Sequence, residues 1–143
     1  MSQLKLMALD TEDLQVVSSC CQDAILKVGD MDYSVGNKRF VMSLNRFAWE
    51  QEKSKSEPDE RRRSVLHFER VTGVKLSGIN RSDKETILSL LTVLFEPADG
   101  PSGEIELVFA GDGAIKLEVE CIEVQLADMP AAWAAKARPN HDD

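Results

Sequence analysis

The sequence predicts an α+β chain of mostly antiparallel strands, forming a strongly curved sheet or partial barrel with one N-terminal helix and one short C-terminal helix. Three observations predict it. Apolar residues alternate at a spacing of two over much of the chain, turn residues interrupt these runs in hairpin patterns, and helical spacing appears only near the two ends.

Residues 4–9 read as an opening strand with Leu4, Leu6 and Ala8 on one face. Asp10 or Thr11 then caps a helix, and Glu12 and Asp13 suit its positive N-terminal end. Leu14, Val17, Cys21 and Ala24 form its apolar stripe, which places Cys21 toward the core. From Asp23 the period changes to two, through Ala24, Leu26 and Val28, until Gly29-Asp30 breaks the run.

A hairpin follows, centred on Gly36-Asn37. Its two-residue turn sets Tyr33 opposite Phe40 and Met31 opposite Met42, and the second arm runs on to Trp49. Residues 51–63 contain no apolar side chain and read as a mobile surface loop. A long strand is expected over 64–76, with Leu66, Phe68, Val74 and Leu76 on one face and Gly73 marking a bulge.

Residues 86–96 suit either a helix or a strand. Thr, Val, Ile and Phe are frequent, Pro97 ends the run and a hairpin follows, so the expectation is a strand buried on both faces. That hairpin spans 104–120 across Gly111-Asp112-Gly113. A three-residue loop pairs Phe109 with Ile115, Leu107 with Leu117 and Ile105 with Val119. The same register puts Glu106 opposite Glu118 and Glu104 opposite Glu120, so a cation from residues 61–63, Arg70 or Lys75 is expected on that acidic face. Asp128, Pro130 and Trp133 then predict the short last helix. Residues 1–138 make one domain and 139–143 a frayed tail.

Composition narrows the function classes. The chain has 143 residues, with 25 acidic against 17 basic and a net charge of −8, which opposes nucleic acid and anionic membranes. No apolar run approaches the roughly 18 residues of a membrane span, and the first residues lack a signal-peptide pattern. The expected location is cytoplasmic. Cys20, Cys21 and Cys121 form an odd set with no metal-ligand spacing, so reduced thiols are expected and no metal. No glycine-rich phosphate loop opens a helix, and no cofactor is expected.

Few residues carry chemistry. His67 is the weak catalytic candidate, out of phase with Leu66 and Phe68 on a strand's solvent face, and it has no nucleophile motif beside it. Arg61, Arg62 and Arg63 are interleaved with acidic residues and read as solvated. Arg46 and Arg70 are more informative, because each follows an apolar row in phase. Such an arginine is either buried against a carboxylate or lines a pocket, although a bulge at Asn45 would push Arg46 outward. Arg46, Arg70, Trp49 and Trp133 are the binding candidates, and Glu104, Glu106, Glu118 and Glu120 the acidic face.

Several stretches together resemble a known family. They are the opening Leu4-Lys5-Leu6-Met7-Ala8-Leu9-Asp10, Asn45-Arg46-Phe47-Ala48-Trp49-Glu50, and Leu66-His67-Phe68-Glu69-Arg70-Val71. Phe95-Glu96-Pro97, the run from Gly113 to Glu123, and Trp133 with Arg138-Pro139 extend the likeness over nearly the full length. The chain resembles domain of unknown function 2948, small cytoplasmic proteins mostly of alphaproteobacteria. The resemblance implies a bacterial housekeeping context, with genes often beside that of histidinol dehydrogenase, and it supplies no catalytic residue.

The leading expectation is a non-catalytic binding or accessory protein that presents a curved sheet surface to a protein or small molecule. One alternative is an enzyme or helper of amino-acid (histidine) biosynthesis using His67 with nearby carboxylates. The other is a small-metabolite or lipid carrier with a cavity.

Overall fold

Short apolar-alternating segments separated by tight turns build an antiparallel sheet here, and each helical signal is brief. The computed structural model describes residues 4–47 and 61–129. In chain order the elements are β1 (Lys5–Ala8), α1 (Thr11–Cys20), β2 (Ala24–Lys27), a single 3₁₀ turn (Val28–Asp30), β3 (Met31–Ser34) and β4 (Arg39–Phe47). They continue with β5 (Arg61–Phe68), β6 (Val71–Ser77), β7 (Ile87–Pro97), β8 (Gly103–Phe109), β9 (Ala114–Val119) and β10 (Val124–Asp128).

These strands form one sheet in the order β1-β10-β5-β4-β2-β7-β8-β9-β6, with β3 also paired to β4. The curved or barrel-like architecture expected above is therefore corrected: the sheet is neither closed nor strongly curled. Closure would need a ladder between its terminal strands, yet β1 pairs with β10 and β6 with β9, and no described ladder joins β1 to β6. Nor is Asp128 a helix cap, because it is the last residue of β10, paired with Ser64. The expected C-terminal helix and Trp133 lie outside the described residues, as do Trp49 and residues 51–60. None of the described helices is long and apolar enough to cross a membrane.

Asp10 starts α1 by accepting the Asp13 amide at 2.8 Å. The helix buries Leu14, Val17 and Ser18, and Cys21 follows fully buried at its C-terminal cap. Ser18 is a polar residue on an otherwise apolar stripe for a definite reason. β7 pairs with β2 only as far as Leu90, and its register shifts between Leu90 and Thr92. Beyond that bulge the Val93 amide donates to Ser18 Oγ at 2.9 Å, and Thr92 Oγ1 lies 3.1 Å from the same oxygen. A buried amide that has lost its ladder partner needs such an acceptor.

The strand expectation for 86–96 holds, but burial on both faces does not. Leu88, Leu90 and Val93 point inward, whereas Ile87, Leu91 and Leu94 are exposed. The β3–β4 register is as expected, with Tyr33 opposite Phe40 and Met31 opposite Met42. Residues 61–63 belong to β5 rather than to a loop. The expected long strand over 64–76 is two strands, β5 and β6, broken at Arg70, whose φ is +62°. The bulge near Gly73 is present, between Val71 and Gly73.

The β8–β9 hairpin keeps the expected inward face but slips by two residues. Leu107 faces Ile115 and Ile105 faces Leu117, while the Phe109 amide bonds the Gly113 carbonyl at 2.9 Å. The loop is therefore residues 110–112, with Gly111 and Asp112 both at positive φ. Gly113 sits beyond it, where a Cβ would lie 3.1 Å from Ile79 Cγ1. The slip also exchanges a like-charge pair for an opposite one, since Glu106 faces Lys116 and only Glu104 faces Glu118.

Candidate functional site

The Gly36-Asn37 turn folds β3 back on β4, and among the described strands β3 has no ladder other than its pairing to β4. Among the described strands, β6 likewise has a ladder only with β9. Between these two strands lies a cleft of about 410 Å³. Buried Val28, Phe40 and Ile115 line it, together with half-buried Met31, Val74 and Leu76. Successive residues Met31, Asp32 and Tyr33 all border it, so the cleft runs along the open edge of β3 as well as across one face.

Both ends are built by specific contacts. At one, the Tyr33 hydroxyl donates to the Val71 carbonyl at 3.1 Å, and the Val71 amide donates to the Lys38 carbonyl at 2.9 Å. These bonds tie the β3–β4 hairpin to the start of β6. Towards the 3₁₀ turn, the Gly29 amide donates to the Lys84 carbonyl at 3.0 Å and the Val28 amide to Thr86 at 2.9 Å. A Cβ at Gly29 would come within 3.1 Å of Lys84 Cβ, so glycine permits that approach. Asn80 and Asp83 side chains accept the Ser82 and Glu85 amides, folding 80–86 into successive turns.

These turns bring Arg81 and Lys84 to the cleft, where Asp32 is the other charged residue lining it. Arg81, Lys84 and Asp32 form no ion pair with a described residue. Two cations against one carboxylate leave the lining at +1, the opposite sign to the chain's −8.

The candidates named from sequence lie elsewhere. Arg46 is completely buried and pairs with Asp128, its Nε and Nη2 donating to the two carboxylate oxygens at 3.0 and 2.8 Å. The β4–β5 ladder runs without a bulge through Asn45, which is why Arg46 stays in the core phase. Burial works to raise the Asp128 carboxyl, but hydrogen bonds from Arg46, Ser64 and the Leu4 amide hold it below the usual carboxylate range. Arg70 sits at the exposed corner between β5 and β6 and pairs with Glu123 at 3.3 Å.

His67 faces outward between Val41 of β4 and Gln125 of β10. Its Nδ1 is buried without a hydrogen-bond partner among the described residues. Desolvation lowers its pKa, and Arg39 pushes the same way while Glu69 opposes. Glu69 itself is held by Arg39 at 2.9 Å. Among the acidic-face residues, Glu120 pairs with Lys38 at 2.7 Å, so an intramolecular cation does reach that face, though from none of the positions expected. Among the described residues no group of His, Cys, Asp and Glu side chains is placed to hold a metal.

The cleft residues Asp32, Arg81 and Lys84 drew no attention in sequence. Arg81 and Lys84 stand in a polar turn between two strands, which reads as solvated loop. Only the placement of Met31 and Tyr33 in the apolar phase of a hairpin pointed to this region.

The chain belongs to the family described as Protein of unknown function (DUF2948), which matches residues 4–141. No curated protein and no solved structure matches it.

Proposed function

We propose that the protein is a non-catalytic binding protein that holds a small molecule in the cleft between β3 and β6. The observation that carries this reading is an apolar lining bordered by charged side chains that form no ion pair with a described residue. Small-molecule sites have this composition and a volume of roughly 300–1,000 Å³. The groups suited to acid–base chemistry do not converge there. His67 has Val41 and Gln125 across the ladder rather than a carboxylate, and Arg46 is sealed against Asp128. We place the protein in the cytoplasm, a setting supported by three cysteines that carry thiols rather than disulfides.

Methyl NMR tests the reading directly. Titration with anilinonaphthalene sulfonate is expected to move the Met31 methyl resonance and leave that of Met7, on β1 at the far end of the sheet path, in place. No movement of Met31 at saturating dye, or movement of Met7 alone, overturns it.

A further inference from the structure

The charge at the cleft says more than that something binds. It rests on the binding reading above and names the ligand's chemistry. We infer that the cleft takes a small amphipathic monoanion, an aliphatic or aromatic carboxylate, with its apolar body against Val28, Phe40 and Ile115 and its head between Arg81 and Lys84.

Sign is the first reason. A protein of net charge −8 repels anions in general, so an anion site needs a local excess of cations. Arg81 and Lys84 supply one, and neither pairs with a described residue. Of the other described surface cations, Lys27 pairs with Glu85, Lys38 with Glu120, Arg39 with Glu69 and Arg70 with Glu123, while Lys5, Lys75 and Lys116 pair with no described residue but do not line the cleft. Position is the second reason. The backbone bonds from Gly29 and Val28 anchor the segment that carries Lys84 against the 3₁₀ turn, so that charge stands beside Val28, itself part of the lining. Charge number is the third. Asp32 reduces the lining to +1, which suits a monoanion and opposes a polyphosphate, and no glycine-rich loop offers amides to a phosphate group.

Three probes built on a C10 chain separate head group from tail: decanoate, decanol and decyltrimethylammonium, each followed through the Met31 methyl. Decanoate is expected to bind roughly tenfold more tightly than decanol, from two partly solvated ion pairs. The ammonium should bind most weakly, and the anion preference should shrink as salt rises. Arg81→Gln with Lys84→Gln should erase the preference while leaving the melting temperature unchanged, since neither side chain bonds a described residue. Asp32→Asn should act in the opposite direction and strengthen decanoate roughly threefold. Equal binding of decanol and decanoate, with Met31 shifted by both, overturns the anion assignment and leaves the cleft as a neutral binding site. If no probe moves Met31, the binding reading falls with it.

Discussion

The Arg46 guanidinium grips the Asp128 carboxylate through two N–H···O bonds, across 82 positions of sequence and with neither side chain more than 1% exposed. Ser64 Oγ donates to the same carboxylate at 2.6 Å, and the Leu4 amide does so at 2.9 Å. One carboxylate therefore pins β4, β5, β10 and the residue before β1, four neighbours in the sheet. Desolvating two charges is expensive, and a well-formed pair roughly offsets that expense. Its contribution is to position, fixing how four strand ends meet.

Removing one member is expected to be far worse than removing both. Asp128→Ala leaves a buried guanidinium facing Ser64 and should lower stability by about 3–5 kcal/mol. Arg46→Met combined with Asp128→Leu should recover most of that loss. Urea unfolding followed by circular dichroism measures both. A single variant within about 1 kcal/mol of wild type would show that the pair does not constrain the sheet.

Acid stability should decline in two stages. His67 is desolvated, so its pKa in the fold lies below the ordinary imidazole value. The unfolded chain then takes up a proton near pH 6.5 that the folded chain refuses, and stability falls as pH drops through that value toward the folded pKa. Asp128 is also depressed, so its contribution is intact above the ordinary carboxylate range and lost as pH falls through the lower folded value. His67→Gln should remove the first stage only. Unfolding free energies from pH 8 to pH 3 test this, and an unchanged upper stage in that variant would refute the His67 assignment.

Thiol reactivity should sort the cysteines by burial. Cys21 is fully buried, and desolvation, reinforced by Cys20, pushes its thiol up to about 12. At pH 8 almost none of it is thiolate, the reactive form. Native protein should therefore keep Cys21 unmodified by a maleimide while denatured protein, prepared without reductant, exposes all three thiols. Labelling of Cys21 at the denatured rate would mean that the C-terminal end of α1 opens readily.

What was legible in the sequence follows from how local each determinant is. The β3–β4 register was readable because Gly36-Asn37 marks the centre of a short connection, even though that connection spans residues 35–38 and Lys38, not Gly36, takes the positive φ of 53°. The β8–β9 hairpin has glycines on both sides of Asp112, so its apolar phase was clear but its loop was not. A Cβ at Gly113 would come within 3.1 Å of Ile79 Cγ1, and Ile79 is remote in sequence. Arg70 marks a corner with no glycine or proline to announce it. The turn is held from outside, by the Glu69 amide on the Glu123 carbonyl and the Glu120 amide on the Arg70 carbonyl. The cleft was invisible for the same reason, since β3 and β6 meet only through the tertiary fold.

The slipped register leaves one electrostatic defect that can be repaired. Glu104 of β8 stands directly between Glu96 of β7 and Glu118 of β9. None of these three carboxylates makes an ion pair with a described residue, whereas Glu106 one step along faces Lys116. Like charges directly opposed in a ladder are destabilising, and opposite charges there contribute about 0.2–1 kcal/mol per pair. Glu104→Lys changes two repulsive pairs into two attractive ones and should stabilise the protein by about 1 kcal/mol at low ionic strength. Glu104→Gln removes the repulsion without adding attraction and should give a smaller gain. Both gains should fade in about 1 M salt, where screening acts over roughly 3 Å. Chemical denaturation at low and high salt distinguishes charge from packing. If lysine and glutamine stabilise equally and independently of salt, the effect comes from the half-buried site's preference for a neutral side chain, and the carboxylate row is not a source of strain.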